Sequence, residues 1–492
     1  MTKDVVTRRF HPARDATEKI DGIRRRLARL ERSLGASHRH NLPTPDYARA
    51  TPHSHDGATN RKRKVNAWQY LLATPLDLKS ADQMLYGLMC DIINTSGTTV
   101  LNTCETYFRT VQKWLPVISK HRTYRRVTSS EQRPQADFAL LVLCIHLVTL
   151  LPSEDLEDNQ QQESEYMSAK CIQAQLLSFV PISVEIVQSC LLIAMYEYAR
   201  GNFQSAYLSM GTCMRAASAL GLPEKGIRNL TTEINNWTRA EEQYSLWWGC
   251  VILDRLIRLE GLAKGLHLPA QYQTPIDELP LESRQWDVLE GSVPSYRRAS
   301  LAEGPSKQVK GFGRAAQCCH LLGKVLDLVS TPAGIISDQI QDISKLDSTL
   351  QSFLCIVLEL SADPWDSYCT AIGAILCALF RLHSWTVDQA TSSSPKSILA
   401  LEAMSKVVLE MGRTFTEKKD NFSLEGVPPV SLHMFFQAAQ VYICVNKKDN
   451  TEDQEQWLED IEVFRLCLWC GSKRWRSSSK SNLGSNGRLA IK

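Results

Sequence analysis

No cysteine precedes Cys90, although the chain carries fifteen in its 492 residues. Most stand singly within apolar segments, as at Cys144, Cys190, Cys250, Cys355 and Cys377, which predicts buried, reduced thiols rather than a disulfide framework. The single Cys-x-x-Cys, Cys467-Leu-Trp-Cys470, has no second pair of ligands, and a structural zinc site needs four. The pairs His38/His40 and His53/His55 lie in a polar, Pro-containing stretch without cysteine partners and read as solvated loop. No metal and no other cofactor is expected. Long apolar runs are also lacking: Phe138 to Leu151 includes His146 and ends at Pro152, short of the roughly 20 residues that a bilayer span needs. The opening Met-Thr-Lys-Asp-Val-Val-Thr-Arg-Arg has no apolar core and no small-residue cleavage site, which argues against secretion. The expectation is a chain inside the cell with no membrane segment.

Alternating, β-branched strand patterns are missing as well, while apolar residues make up 43% of the chain. That combination predicts an all-α protein, a large helical array of antiparallel helix pairs that is too long for one ordinary core. Helical texture starts near Trp68 and runs through Leu76 to Tyr107, on to Leu115, and from Gln135 to Leu151; a polar insert, Ser153 to Glu165, follows. Residues 291–310 read as a loop. Beyond it, helices are predicted over Phe312 to Val329, Ile335 to Glu359, Trp365 to Ala390, Ser397 to Thr416, Ser431 to Val445 and Gln454 to Arg474, before a Ser/Gly-rich tail at 477–492. The expected organisation is a basic arm at 1–66, a helical body at 67–290, the loop, and a helical continuation of the same body at 311–476.

Charge is shared unevenly within a net balance of +3. Residues 1–65 carry 16 Lys and Arg against 7 Asp and Glu, and the remainder carries 40 against 46. The arm is therefore basic, and residues 35–65 read as disordered linker. Its densest run, Arg61-Lys62-Arg63-Lys64, suits nuclear import or contact with phosphates through counterion release, although a solvated linker has the same composition. Ile20, Ile23, Leu27, Leu30 and Leu34 alternate spacings of three and four among arginines, which fits either a short dimer seam or a lone amphipathic helix.

Catalytic constellations fare poorly. Asp155-Leu-Glu-Asp158 has the spacing with which all-α terpene cyclases hold magnesium and diphosphate, but no second metal motif accompanies it, and a solvated acidic loop is the expectation. Gly311-Phe-Gly313-Arg-Ala-Ala316 imitates a dinucleotide fingerprint but follows a basic, polar stretch instead of a strand, so it reads as a helix start. Ser477-Ser-Ser-Lys480 sits in a tail that cannot preorganise a nucleophile.

What the chain does have is concentrated between Val187 and Leu281. Ile186, Val187, Cys190, Leu191, Ala194 and Tyr198 recur on one side of a helix. Gly201-Asn202 supplies a break. A second helix from Phe203 to Leu220 is loaded with the small residues Ala206, Ser209, Gly211, Ala216, Ala217 and Ala219, as in a close antiparallel pair. Glu241-Glu242 reads as a helix N-terminus by the dipole argument. After it, Leu246, Trp247, Trp248, Val251, Leu253, Asp254, Arg255 and Leu256 form a thick wall, and Pro275-Ile-Asp-Glu-Leu-Pro-Leu281 closes the region.

The order Gly201-Asn202, Ala219-Leu-Gly-Leu222, Glu241-Glu242, Leu246-Trp-Trp248, Leu253-Asp-Arg255, Ile276 to Leu281 resembles the middle homology region of fungal zinc-cluster transcription factors. Arg474-Trp475-Arg476 is similar to that family's closing helix. Three places depart from the pattern: Gln243-Tyr244 replaces a basic pair, Gly261-Leu-Ala replaces Gly-Arg-Pro, and the closing turn keeps only Asp277 of its aspartates. The zinc module of such regulators, six cysteines within about thirty residues whose thiolates bind two zinc ions, has no counterpart here, so the chain resembles a relative that begins just after it.

The resemblance implies a nuclear transcription regulator, with Leu246, Trp247, Trp248, Leu253, Asp254 and Arg255 in the core of its regulatory domain. Its implied targets are the genes of a metabolic pathway or secondary-metabolite cluster. Its implied partners are DNA, weakly or through another protein, a homo- or heterodimer mate, and the transcription machinery. A non-DNA-binding heterodimer partner or corepressor, and an all-α enzyme of terpene-cyclase type, are the alternatives.

Overall fold

The computed structural model describes residues 78–129, 135–153, 155–222, 234–266, 277–288, 298–330, 336–361, 365–389, 395–417, 426–445 and 451–475. The heptad positions Ile20 to Leu34, the basic run Arg61 to Lys64, Arg476 and the Ser477 to Lys480 motif lie outside them. Among the described residues the architecture is all-α. Its helices are α1 Leu78–Thr95, α2 Val100–Arg109, α3 Lys120–Thr128, α4 Ala136–Thr149, α5 Leu156–Phe179, α6 Val184–Ala199, α7 Phe203–Ala219, α8 Ile234–Ala263, α9 Ser283–Trp286, α10 Gly311–Val329, α11 Ile336–Leu360, α12 Cys369–Gln389, α13 Pro395–Glu417, α14 Pro429–Val445 and α15 Thr451–Ser472. The described β-structure is one isolated antiparallel bridge, Glu278 with Ser300.

Packing proceeds from neighbour to neighbour: α1 and α2 against α4, α4 against α6, α6 against α7, both against α8, then α8 against α10 and α10 against α12. Beyond that, α12 packs on α11, α13 and α14, while α15 closes over α13 and α14. One continuous apolar core follows this path from Leu85 to Trp475, with a satellite of Trp237, Leu281 and Trp286.

Helix α6 shows why the array holds. Its sequence periodicity suggests one buried side, but all sixteen residues from Val184 to Ala199 are buried, because α4, α7 and α8 cover it from several directions. A mostly apolar helix with no solvent-facing side is what such a central position demands, and its polar residues Glu185, Gln188 and Glu197 find partners inside. The chain leaves it through a tight stop in which Gly201 adopts φ +77°, and the Asn202 N–H donates to the Glu197 carbonyl at 2.9 Å, closing the last turn. So short a reversal makes α6 and α7 antiparallel neighbours.

Helix α12 is long and apolar enough, by length and composition, to cross a membrane. Here it is an interior helix: every residue from Cys369 to Phe380 is buried, and four other helices pack on it. Glycines bring the backbones together in this part of the molecule. A Cβ at Gly373 would lie 2.9 Å from Val430, one at Gly412 would lie 3.0 Å from Val463, and one at Gly471 would collide with Leu432.

Two expectations need correction. The polar stretch Ser153 to Glu165 is not a separating loop, since α5 begins at Leu156 with Asp155 as its N-cap. Nor is Cys355 buried: all fifteen cysteines are unpaired thiols, and Cys355 and Cys444 are exposed.

Candidate functional site

The wall from Leu246 to Arg255 lies within α8, which touches α6, α7, α9 and α10. Leu246, Trp247 and Trp248 are fully enclosed. Close approach explains the glycine that follows them: a Cβ at Gly249 would fall 2.5 Å from Val117 Cγ1 and 3.3 Å from Leu191 Cδ2. Glu241 and Glu242 are not at a helix N-terminus. They stand two turns inside α8 and are buried, so the dipole argument does not explain them.

Arginines from distant segments do. Arg122 of α3 lies 2.8 Å from Glu242 and 3.3 Å from Glu185 of α6, and Arg126 lies 2.7 Å from Glu185. Glu242 also accepts hydrogen bonds from the Ser119 N–H and the Gln188 side chain, each at 2.9 Å. Burial raises the Glu242 carboxyl, with Arg122 opposing. For Glu185 burial pushes upward too, but the Arg122 and Arg126 guanidiniums outweigh it and hold the carboxyl below the usual range. The cluster fastens α3, α6 and α8 into one unit.

On the other flank, Arg298 pairs with Glu241, reaches Glu278 at 3.1 Å and stacks 3.9 Å from the Tyr244 ring centroid. The segment Asp277 to Leu281 runs past the same place. The Tyr244 hydroxyl and the Trp248 indole N–H both donate to the Glu278 carbonyl, at 2.8 and 3.2 Å. Leu279 N–H donates to Ala299 at 2.8 Å, and Leu301 N–H donates to Asp277 at 2.5 Å. A strap formed by residues 277–288 and 298–305 is thus clamped onto the tryptophan wall.

Farther along α8, Asp254 and Arg255 are buried and pair with each other. The Arg255 guanidinium crosses α10 at Gly323, where a Cβ would fall 2.8 Å from Nε. Arg258 reaches Asp327 of α10 at 2.6 Å, and Glu260 lies 3.2 Å from the His433 ring of α14. Here α8 binds the C-terminal helices as its first half binds the N-terminal ones.

The enzyme-like motifs have structural employment. Asp155 accepts the Glu157 N–H at 2.7 Å, and Asp158 accepts the Ser153 hydroxyl at 2.9 Å. The glycine-rich start of α10 is occupied by Glu282, whose carboxylate accepts the Phe312 N–H at 2.8 Å. Burial raises that carboxyl while the Phe312 and Gly313 N–H groups oppose the shift. This is an anion at a helix N-terminus supplied by the chain itself. Among the described residues no group of three or more His, Cys, Asp or Glu is placed to hold a metal. Cys467 instead donates to the Gly412 carbonyl at 3.7 Å.

All six residues predicted for the regulatory-domain core are therefore buried in α8. Arg122, Arg126, Glu185, Gln188, Arg298 and Glu282 stand outside every motif read from the sequence. Of these only Glu282 carried a local signal: with Gln285 three residues on, it forms a capping box at α9.

Among the described residues, then, the central helix of the all-α body is a hub of buried ion pairs, and the Asp155 and Gly311 motifs are engaged at helix N-termini. Residues 104–356 match the fungal specific transcription factor domain, and the chain belongs to that family of transcription regulators. It is 34% identical over 137 residues to Transcription factor BOA15 of Botryotinia fuckeliana, covering 28% of this chain and 75% of the relative. It is also 26% identical over 161 residues to Tropolone cluster transcription factor tropK of Talaromyces stipitatus, covering 32% of this chain and 28% of that protein.

Proposed function

We propose that this protein is a nuclear regulator of a metabolic or secondary-metabolite gene cluster and acts without catalysis. The observation that carries the reading is the family match over residues 104–356, supported by a relative whose name places it with a tropolone cluster. In this proposal the helical body at 67–290 and 311–476 receives a signal or a partner. The arm at 1–66 supplies nuclear import and phosphate contact through Arg61 to Lys64, and a dimer seam through Ile20, Ile23, Leu27, Leu30 and Leu34. DNA is contacted weakly or through a homo- or heterodimer mate. The caps formed by Asp155 and Glu282 favour this reading over a terpene cyclase.

Three measurements test it. Deletion of the gene is expected to change the transcripts of one contiguous gene cluster, and an unchanged transcriptome would refute the reading. Neutralising Arg61 to Lys64 is expected to lose nuclear accumulation of a fluorescent fusion. Gel shifts at several salt concentrations are expected to show binding that weakens steeply with salt; a purified chain with salt-resistant site preference would show direct base reading in place of the partner-dependent route.

A further inference from the structure

A cavity of about 310 Å³ opens beside the turn between α6 and α7, lined among others by Gln162, Tyr166, Tyr196, Glu197, Arg200 and Asn202. Its volume falls at the small end of ligand pockets. Glu197 is only 1% exposed. The Tyr166 hydroxyl donates to its Oε1 at 2.6 Å, and Lys170 Nζ lies 3.1 Å from the same oxygen. Its other oxygen, Oε2, is buried and accepts no hydrogen bond, and an idle buried acceptor is unfavourable until a donor reaches it. Tyr166 and Tyr196 stack with centroids 5.4 Å apart, and the Arg200 guanidinium stands 4.9 Å from the Tyr196 centroid while donating to Gln162 at 2.8 Å. Asn202 precedes α7 without its side chain capping that helix, which leaves this carboxamide uncommitted to the turn.

Charge selects the ligand class. Two carboxylates, Glu163 and Glu197, line the cavity with Arg200, and Lys170 neutralises Glu197 from behind. An ammonium would be placed near two cations and an anion near two carboxylates, so a neutral donor suits the site better. We propose that this cavity binds a neutral small molecule presenting vicinal hydroxyl groups, which donates to Glu197 Oε2, exchanges hydrogen bonds with Asn202 and lays a flat C–H or ring face against the tyrosines. A sugar and a catechol-type ring share this chemistry. As an effector site it rests on the regulatory reading above; as a binding site it does not.

The test is titration calorimetry and thermal unfolding of the purified full chain with D-xylose, myo-inositol and catechol. Cyclohexanol and phenol serve as single-hydroxyl controls, and ethanolamine as the charged one. At least one diol is expected to bind saturably and raise Tm, with single-hydroxyl controls at least about tenfold weaker. Response to the sugars alone, or to catechol alone, identifies the source. Glu197→Gln is expected to weaken binding about tenfold, and Asn202→Ala at the exposed rim about threefold, so the assignment stays testable if the buried variant fails to fold. Absence of saturable binding by every diol, in which case water alone meets Oε2, overturns the proposal. So does preference for ethanolamine, equal affinity for the single-hydroxyl controls, or unchanged affinity in the folded variants. Because the readout is binding, its failure leaves the transcriptional role standing, and loss of that role leaves the binding result intact.

Discussion

The family-matched region and the C-terminal bundle are cemented differently. Across 104–356 the elements are joined by charge reaching into the interior: Arg122 and Arg126 with Glu185 and Glu242, Arg298 with Glu241, Arg258 with Asp327. Beyond it, α12 to α15 meet through glycines against aliphatic side chains, at Gly373, Gly412 and Gly471, with few buried charges, Asp460 and Arg474 among them. A buried ion pair adds little net stability but is costly to break, and it fixes one arrangement. Close glycine packing depends on volume alone. The contrast predicts that the first region answers to charge and pH, and the second to size.

The largest effect is expected at the tryptophan wall of the first region, where a large buried ring and a hydrogen bond are lost together. Trp248→Ala removes a fully buried ring and one of the two side-chain donors to the Glu278 carbonyl, for a loss of ~3–5 kcal/mol in chemical denaturation. An effect below ~1 kcal/mol would mean that the tryptophan wall is not the structural centre. Next, Arg122→Met leaves the buried Glu242 without its guanidinium partner, while Glu185 keeps Arg126, at a cost of about 3 kcal/mol or more. Burial already raises the Glu242 carboxyl and Arg122 opposes that shift, so without the arginine it rises further and its penalty grows as pH rises above the carboxylate range. The deficit should therefore be larger at about pH 7 than at about pH 5, and a pH-independent deficit would break the comparison.

Gly412→Val should cost about 1–3 kcal/mol by overpacking against Val463 and Cys467, equally at both pH values. A smaller effect is expected from His320 in α10, where burial, with Lys324 and Arg255 nearby, lowers the imidazole pKa from 6.5 to about 4. Between those values the unfolded chain binds a proton that the folded one refuses, so acidification through that window destabilises the fold. His320→Gln should flatten the stability profile there, and an unaltered profile would remove His320 from the account. Smallest of all, Lys307→Ala breaks an exposed pair with Glu359 and should shift stability by no more than about 0.5 kcal/mol.

Most helices were legible because their apolar spacing is local: α6, α7 and α10 to α15 fall close to the ranges that their periodicity predicts. The core positions Leu246 to Arg255 were legible through family likeness. What was not legible is pairing over long separations. Nothing near Glu242 points to Arg122, more than a hundred residues earlier, so two adjacent glutamates resembled a helix start. Asp155-Leu-Glu-Asp158 read as loop because a polar helix end and a solvated loop have similar composition; the N-cap geometry distinguishes them.

The Glu278 carbonyl accepts two aromatic donors at once. Tyr244 and Trp248 grip a main-chain oxygen, which every amino acid possesses, and the Glu278 side chain contributes only a half-exposed pair with Arg298. The aromatic grip is thus indifferent to the letter written at this position. Drift in the aspartates of the closing turn can proceed while its seating is preserved, so spelling and anchorage are separately heritable.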